Sequence, residues 1–433
     1  MDCACSLPET APLGRNPVAD STLLFDPTDP ATALDPFPAY ARLRGHGPVW
    51  HSPQSGIHFI TRHADVHAAW RDKRLGSDFS QRYTPEEFIR DKADLQPWRD
   101  DRYADFKAFE RWDMIALEPP DHTKLRRLVT TAFTPRSVEA QRGPASRLIS
   151  ERITAARERG SLDLVQDLAE PLSLTIICEL IGVPEPDRMR ILALSHDVVS
   201  MYEPSPSDAV KDRANLAVRE FAAYTADLIR ARRRQPADDL LTGLIDATVD
   251  GEHLSDEQVI STVMVLLMAG HEASVNAASN GVAAFAAHPD QWQLLRAGAV
   301  PMKSAIEEIL RWDPPLQFFQ RWVLDDGFEV RGVQIPRGSK VGLMIGSSNR
   351  DPEKYENPDA FSIARGETSH LSFGGGIHFC IGAPLARLEL ELLFGALVEA
   401  LPEITLLPGA VRRPGFQFRG YVNLPIAAPS ASR

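Results

Sequence analysis

Cysteine is scarce in this chain, which excludes the protein classes that depend on it. Four of the 433 residues are cysteines: Cys3, Cys5, Cys178 and Cys380. So few thiols argue against a disulfide scaffold and are typical of a protein in a reducing cytosol. An excess of positive charge is also absent, because 47 Lys and Arg stand against 59 Asp and Glu, a formal charge of −12. That balance argues against general nucleic-acid binding, which depends on neutralising phosphates.

Targeting and membrane signals are missing as well. The N-terminal MDCACSLPETAPLGRNP has neither the basic start nor the apolar core of a secretory signal. The most apolar stretch, residues 263–270, is far shorter than the roughly 20 residues that span a bilayer. We therefore expect a cytoplasmic protein with no membrane partner. Residues 1–22 are small, polar and interrupted by prolines, which predicts a flexible tail before a single domain of residues 23–433.

The hydrophobic pattern indicates a mostly helical protein with small sheets. Helical spacing predominates, in residues 64–70, 122–133, 147–158, 216–234, 259–287 and 384–400. Short strands are predicted in residues 48–62, 318–323, 328–335 and 340–345. Two long polar segments, residues 76–121 and 195–212, are predicted to be irregular, and such segments often form binding loops or lids.

The longest predicted helix has a clear start. Ser255 and Gln258 form a capping box, so the helix should begin at Asp256 and end at Ala287, just before a proline. At 1.5 Å per residue it would be on the order of 48 Å long and would cross the whole molecule. Its middle is apolar on every face, which predicts that it is buried.

Two residues in the middle of this helix do not suit a buried core. Gly270 costs about 1 kcal/mol in a helix interior, and Glu272 costs more there unless something compensates its charge. One explanation is that Gly270 lets another helix pack closely while Glu272 forms an internal ion pair. The other is that Gly270 makes room for a flat ligand while Glu272 handles protons.

A glycine-rich loop carries the last cysteine. Residues 372–384 read SFGGGIHFCIGAP, and the three consecutive glycines give a backbone that a ligand can approach closely. Cys380 stands at the entry of the helix of residues 384–400, where the helix dipole favours an anionic sulfur, the form that binds metal. The thiolate could be a nucleophile or a single metal ligand. With no second cysteine nearby, a four-thiolate zinc or iron–sulfur site is not expected.

This loop resembles the haem-binding loop of the cytochrome P-450 family, of the bacterial soluble type. The matching pattern is Phe373-x-x-Gly376-x-x-x-Cys380-x-Gly382. Further motifs resemble the family in the right order, namely Ala269-Gly270-x-Glu272, Glu308-x-x-Arg311 before a Pro-Pro pair, NRDP at 349–352 and FSIAR at 361–365. The resemblance covers roughly residues 35–425. It implies a mainly α fold with small β-sheets, in which haem b lies between the long central helix and the cysteine-loop helix.

The resemblance gives each matched residue an expected role. Cys380 would be the axial thiolate that pushes electron density onto the iron. Propionate partners are expected from His122, Arg126, Arg321 and His378. Other haem contacts are expected from Ala269, Gly270, Phe373, Gly374, Gly382 and Ala386. A buried network that supports the thiolate side without taking part in catalysis is expected from Glu308, Arg311 and Arg365.

The implied reaction is monooxygenation, the insertion of one atom of O2 into a substrate. The sequence has no flavin or nicotinamide fingerprint, so electrons are expected from a separate ferredoxin or flavodoxin with its reductase. Two alternatives stay open. One is a haem-thiolate enzyme that performs coupling, rearrangement or peroxide-driven oxidation, and the other is a non-enzymatic haem sensor.

The expected substrate is a small hydrophobic or aromatic molecule. Family positions over the haem are occupied by aromatic residues here, and an aromatic-lined cavity suits such a ligand. Core packing is an equally good explanation for any one of these rings. The candidate substrate contacts are Phe106, Phe109, Trp112, Phe318, Phe319, Phe416 and Phe418.

One position departs from the family pattern. After Glu272 most members carry a threonine whose hydroxyl passes protons, whereas this chain has Ala273 followed by Ser274. A methyl group neither donates nor accepts, and one helix step of about 100° turns Ser274 away from the place of the missing hydroxyl. We therefore expect a substrate hydroxyl, or a water that it holds, to complete proton delivery from Glu272. The alternative is that Ala273 only enlarges the pocket and the chemistry is non-hydroxylating.

Overall fold

The computed structural model describes residues 25–88, 101–130, 133–203, 206–249, 251–366 and 369–429. The predicted flexible tail of residues 1–22, with Cys3 and Cys5, lies outside the described residues. The two remaining cysteines, Cys178 and Cys380, are both free thiols.

Helices make up most of the described chain. In order they are α1 (Pro30–Leu34), α2 (Phe37–His46), α3 (His63–Ala69), α4 (Pro85–Phe88), α5 (Ala104–Glu110), α6 (Asp121–Thr130), α7 (Pro135–Ala140), α8 (Arg142–Arg159), α9 (Glu170–Ile181), α10 (Arg188–Val199), α11 (Asp208–Arg234), α12 (Leu240–Asp246), α13 (Asp256–Ala287), α14 (Pro289–Arg296), α15 (Met302–Trp312), α16 (Ile345–Ser348) and α17 (Ala383–Ala400).

The strands are short. They are β1 (Val49–His51), β2 (Ile57–Ile60), β3 (Leu75–Gly76), β4 (Ser161–Asp163), β5 (Thr248–Val249), β6 (Glu252–His253), β7 (Phe319–Val323), β8 (Glu329–Val330), β9 (Val333–Gln334), β10 (Lys340–Leu343), β11 (Val411–Arg412), β12 (Tyr421–Asn423) and β13 (Pro425–Ala427). The largest sheet has the order β1-β2-β10-β7-β3. Strands β10 and β2 pair in parallel, and the other neighbouring strands of the sheet pair antiparallel. The mainly α prediction with small sheets is confirmed.

Helix α13 is the centre of the core, as predicted. The Ser255 hydroxyl accepts from the Gln258 N–H at 3.2 Å, and the Gln258 side chain accepts from the Ser255 N–H at 3.0 Å. The helix is long and apolar enough to cross a membrane, but 72% of its most apolar stretch is buried inside the protein. It packs against α9, α11, α15 and α17, which explains its apolar surface without a bilayer.

Both segments predicted to be irregular contain more helix than expected. Residues 76–121 include α4 and α5, while α10 extends to Val199 and α11 begins at Asp208. The side chain of Ser207 caps α11 by accepting from the Val210 N–H. The cap lies among prolines and charged residues, and for that reason the hydrophobic pattern missed this helix start.

A fully buried ion pair joins α15 to the chain that follows it. Arg311 Nε and Nη2 donate to the two carboxylate oxygens of Glu308 at 2.7 and 2.9 Å. Arg365 Nε donates to the same carboxylate at 3.2 Å. Residues 349–365, which contain neither helix nor strand, are called the meander. The other hydrogen bonds of Arg311 go to its carbonyls, those of Asn349 at 2.9 Å, Pro358 at 2.8 Å and Ala360 at 3.0 Å. The predicted three-residue network is therefore present.

The same region is tied directly to the cysteine loop. The Asn349 side chain donates to the Ser372 hydroxyl at 2.8 Å and accepts from the Leu371 N–H at 2.8 Å. Ser372 in turn donates to the Leu310 carbonyl of α15 at 2.6 Å. Because Arg311 fixes the Asn349 carbonyl, the ion pair and the start of the loop belong to one hydrogen-bonded unit.

A buried carboxylate on α17 was not predicted. Glu389 is 4% exposed, and its polar neighbours are the hydroxyls of Ser173 on α9 and Ser274 on α13. Burial raises the pKa of Glu389 to about 7, although the two hydroxyls act in the opposite direction. Glu389 therefore bridges three helices, and a substantial fraction of it is protonated at neutral pH.

We predict that the Glu308–Arg311 pair is required for folding. Either Glu308→Ala or Arg311→Ala leaves a buried charge without its partner, which costs about 3–5 kcal/mol, so little haem-loaded protein should be recovered. Glu139 and Arg142 provide a control, because they have the same spacing but side-chain exposures of 61% and 40%. Glu139→Ala should change the free energy of unfolding by about 0.5 kcal/mol or less. Normal haem content in the Glu308 and Arg311 variants would show that the pair is dispensable.

Glu389 predicts a pH-dependent stability. Its folded pKa lies above the unfolded value near 4.5, so folding is favoured most when it is protonated. The stability contribution should fall as the pH rises from 4.5 to about 7 and stay level above that, a total of about 3 kcal/mol. Glu389→Gln keeps the shape without the charge. The free energy of unfolding, measured in guanidinium at pH 5 and pH 8, should be higher for the variant relative to the wild type at pH 8 than at pH 5. An equal difference at both pH values would contradict this prediction.

Candidate active site

The cysteine loop is a tight turn closed by backbone hydrogen bonding. The Cys380 N–H donates to the Phe373 carbonyl at 2.9 Å. Gly374 and Gly376 have φ values of +66° and +62°, a conformation that favours glycine. A Cβ on Gly376 would lie 2.2 Å from the Trp70 carbonyl oxygen. The glycines are thus explained by backbone conformation and by the approach of Trp70, rather than by room for a ligand alone.

The thiol of Cys380 lies at the N-terminus of α17, as predicted. Burial raises its pKa, and the N–H groups of Gly382 and Ala383 and the guanidinium of Arg126 only partly offset that effect. The favourable effect of the helix terminus is therefore present, but desolvation is the larger effect and keeps the pKa of the thiol above its usual value. A metal cation at the sulfur would supply the missing stabilisation, since a coordinating thiol is deprotonated outright.

Cationic and imidazole side chains gather beside this thiol. The rings of His122 and His378 lie 4.4 Å apart, and Arg126 donates to the Phe379 carbonyl next to Cys380. Arg321 comes from β7, and its guanidinium lies 4.8 Å above the ring of Trp70. Residues from α6, β7 and the cysteine loop therefore converge on one point, as the resemblance implied.

Several polar atoms of this cluster lack partners among the described residues. They are both ring nitrogens of His122, Nη2 of Arg321 and Nε2 of His378. Burial lowers the pKa of His122 to about 4 and that of Arg321 to about 10. Buried donors without acceptors are costly, so the cluster suits an anionic group. The carboxylates of a haem, with its iron at Cys380, fit this donor set.

The middle of α13 presents a small apolar surface. Ala269 is exposed and Ala273, one turn later, is half-buried, whereas Met268 and His271 are buried. Residues four apart share a helix face, so the two alanines form one accessible strip. Gly270 has a different orientation, because a Cβ there would lie 2.6 Å from Ile177 on α9. Close helix packing, the first explanation, accounts for the glycine at this position, and its contact with a flat ligand stays a prediction.

Glu272 is buried in an ion network, which also matches the first explanation. Arg413 donates to its Oε2, and Nε2 of His196 and of His271 lie 3.1 and 3.7 Å from its Oε1. Burial raises the pKa of Glu272, but its neighbours, His196 and Arg413 among them, outweigh that effect and hold the pKa well below the usual value. The ion pair does not exclude proton handling, since His196 is partly exposed and links the carboxylate to solvent.

Ser274 faces away from the alanine strip. Its hydroxyl contacts Glu389 on α17, so it belongs to the buried polar bridge between helices. This placement agrees with the prediction that Ser274 does not take the place of the missing threonine hydroxyl. Within the described residues, the strip itself offers the two methyl groups of Ala269 and Ala273 and no hydroxyl from Ser274.

The proposed substrate aromatics divide into two groups. Phe318 and Phe416 pack in an aromatic core with Phe25 and Phe59, and Phe106 and Phe109 are also buried, against each other and against α11. Core packing accounts for these four. The half-buried rings, which stay candidates for substrate contact, are Trp112, Phe319 and Phe418.

The loop has further supports that were not predicted. Arg387 on α17 donates to Glu307 at 2.6 Å and lies 4.4 Å over the ring of Phe373. His370 Nε2 lies 3.1 Å from the same Glu307 carboxylate. Ala386, predicted to touch haem, is half-buried in the first turn of α17, where its N–H donates to the Gly382 carbonyl at 2.9 Å. Glu307 directly precedes Glu308 in the sequence. These two consecutive acids were the one sequence feature that could have pointed to this second support.

A family model describes the same chain. The model "Cytochrome P450" matches residues 86–297 and 301–403, which include α6, α13, α15 and the cysteine loop. Solved structures agree. P450BioI, crystallised with a fatty-acyl carrier protein, is 30% identical with a TM-score of 0.84 and covers 92% of this chain and 100% of its own. PksS of Bacillus subtilis is 32% identical with a TM-score of 0.82, covering 94% and 100%.

Characterised relatives are similar over most of their length. A steroid C26-monooxygenase of Rhodococcus jostii is 36% identical over 395 residues, 88% of this chain and 80% of the relative. A vitamin D(3) 25-hydroxylase of Pseudonocardia autotrophica is 36% identical over 399 residues, 90% and 93%. The monooxygenase PikC of Streptomyces venezuelae is 35% identical over 403 residues, 91% of each. With the cysteine loop, its cationic cluster and the buried Glu-x-x-Arg pair, these matches show that the chain belongs to the cytochrome P450 family and is a monooxygenase of its bacterial type.

Proposed function

We propose that this enzyme inserts one oxygen atom of O2 into a small hydrophobic or aromatic substrate, using haem b and electrons from a separate redox partner. The observation that carries the proposal is that Cys380 lies beside Arg126 and His378, in a cluster where side-chain nitrogens of His122, Arg321 and His378 have no partner among the described residues. Such a donor set suits a ligand that combines a metal cation with carboxylates. The proposed location is the cytoplasm, and the proposed electron donor is a ferredoxin or flavodoxin with its reductase.

The chain's own residues would bind both the iron and the propionates of the cofactor. Cys380 Sγ would bind the iron, while His122, Arg126, Arg321 and His378 would bind the propionates. Bound in this way, haem supplies the activation of O2. Ala269 and Ala273 form an accessible strip on α13, and their methyl groups would present no polar group to an apolar substrate. The relatives named for steroids and vitamin D(3) support a hydrophobic substrate class.

Proton delivery would start at the solvent side of Glu272. His196 is partly exposed, and its Nε2 lies within hydrogen-bonding distance of Glu272 Oε1, while Arg413 holds Oε2. A proton from His196 could therefore reach the carboxylate and leave it toward the substrate side. The family's threonine is absent there, so a substrate hydroxyl or a water that it holds would complete the path.

A second candidate keeps the haem thiolate but not hydroxylation. Ala273 favours it, because the missing hydroxyl removes one member of the usual proton path. The products separate the candidates. Turnover under 18O2 should place one labelled oxygen in the product if the enzyme is a monooxygenase. A product without labelled oxygen would favour coupling or rearrangement.

Substrates can be found from the haem itself. We expect steroids, secosteroids and fatty acids, screened as a library, to shift the absorption spectrum of the haem-loaded protein. Hits should then be oxidised when a bacterial ferredoxin, its reductase and a nicotinamide cofactor are supplied. If polar compounds bound and apolar ones did not, the proposed substrate class would be wrong.

We predict that Cys380→Ser abolishes the thiolate signature. Serine keeps the size of the side chain but loses the soft sulfur ligand, so the reduced, carbon-monoxide-bound spectrum of a thiolate haem should disappear. Cys178→Ser is the matched control, because that buried thiol lies in α9 with a pKa raised by burial to about 12. The control should keep the spectrum. Retention of the spectrum in Cys380→Ser would remove the basis of the proposal.

Ala273→Thr tests how the proton path is completed. Two compounds are compared, a substrate with a hydroxyl near the reacting carbon and an analogue without it. The wild type should couple electron use to product better with the first compound. Ala273→Thr should raise coupling on the analogue specifically, because it restores the missing hydroxyl.

Ala273→Val is the control, since valine has the shape of threonine without the hydroxyl. It should not improve coupling on the analogue. Equal coupling of the wild-type enzyme with both compounds would show that the substrate does not assist proton delivery. Equal gains from threonine and valine would show that volume, and not the hydroxyl, matters at this position.

A further inference from the structure

Three side chains with metal-binding atoms meet between α10 and α13. His271 and Glu272 are consecutive on α13, and His196 projects from α10. Nε2 of His196 lies 3.1 Å from Glu272 Oε1, and Nε2 of His271 lies 3.7 Å from it. The ligand atoms of all three residues lie within 4.8 Å of one another. This cluster is separate from the cysteine loop and its cationic residues.

His271 gives an independent indication of a ligand. Its side chain is 2% exposed, and its Nδ1 lies 2.8 Å from the Leu267 carbonyl, so Nδ1 carries the proton. The lone pair of Nε2 therefore points into the cluster, and within the described part of the chain Nε2 has no hydrogen-bond partner. An imidazole oriented by a backbone carbonyl, with its other nitrogen free, is the usual arrangement of a metal-binding histidine.

The carboxylate is arranged in a compatible way. Arg413 occupies Oε2 of Glu272, while Oε1 is buried and, among the residues that the structure describes, has no aligned hydrogen bond despite the nearby His196. A second carboxylate oxygen, Oε1 of Glu170, lies 3.4 Å from His196 Nε2. Two carboxylates outnumber one guanidinium here, so the cluster can accept a cation when the histidines are neutral. The ion pair alone leaves the buried lone pair of His271 unexplained.

We propose that His196, His271 and Glu272 bind a Zn²⁺ ion. Two imidazoles and one carboxylate are a ligand set that zinc uses, with bonds of about 2.0–2.2 Å. In a tetrahedral site such bonds place the ligand atoms roughly 3.3–3.5 Å apart, close to the two separations from Glu272 Oε1. The partly exposed His196 gives the ion access from solvent, and Glu170 or a water completes the coordination.

The site has a consequence for catalysis that rests on the proposed function. Glu272 is the acid assigned to proton delivery, and His196 is its link to solvent. Zn²⁺ bound between them takes the lone pairs that would carry the proton. Zinc should therefore slow product formation and divert electrons to peroxide without removing haem.

Binding is measured directly on the haem-loaded protein, with no turnover required. All proteins carry Cys3→Ser and Cys5→Ser, because the Cys-x-Cys of the N-terminal tail is a competing site. After chelator treatment, the protein is dialysed against ZnCl2, metal content is measured, and affinity is determined by calorimetry. One Zn²⁺ per chain is expected, with affinity reduced about tenfold or more in His196→Ala and in His271→Ala. X-ray absorption at the zinc edge should show nitrogen and oxygen ligands that include imidazole.

The control is His253→Ala, which removes an exposed histidine of β6 and should leave the affinity unchanged. His196→Ala keeps the test valid if the buried His271 variant folds poorly. Equal zinc affinity in wild type and both cluster variants, or no retained zinc, would overturn the site. Zinc that binds through both histidines but leaves coupling intact would support the site and overturn Glu272 as the proton path.

Discussion

The buried guanidinium of Arg311 is the constraint on which the haem side of the protein depends. With no exposure to water, it must satisfy its donors internally, and it does so with Glu308 and with three carbonyls of the meander. Asn349 then connects that meander to Ser372 and so to the start of the cysteine loop. The position of Cys380 therefore depends on a charge that is stable only when every one of these segments is in place.

Helix α13 presents residues with different functions on its different faces. Gly270 lets α9 pack closely, Ser274 joins Glu389, and the two small residues Ala269 and Ala273 leave an accessible strip. The strip offers methyl groups and no hydroxyl from Ser274. Glu272, next to it in the chain, contacts the partly exposed His196, so the proposed substrate space and the proposed proton supply would use adjacent faces of one helix.

Local patterns predicted the long central helix and its capping box, because these depend on spacing along the chain. The residues around Cys380 were expected from the resemblance to the family and not from spacing. Spacing alone did not identify the structural ion pair, since the exposed Glu139 and Arg142 have the same separation as Glu308 and Arg311. The partners of Glu272 come from α10 and from residue 413, too distant in sequence for any local rule. Glu389 alternates with leucines as a surface residue would, and only tertiary packing buries it. The helix terminus at Cys380 is visible in the sequence, whereas the desolvation that raises the pKa of its thiol depends on tertiary packing.

Direct identification of the iron ligand tests the central claim most sharply. X-ray absorption at the iron edge of the haem-loaded wild-type protein should show a sulfur neighbour in addition to the porphyrin nitrogens. That sulfur should vanish in Cys380→Ser and persist in Cys178→Ser. A wild-type iron with only nitrogen or oxygen neighbours would contradict the account, because the account takes the sulfur of Cys380 to be the protein's ligand to iron.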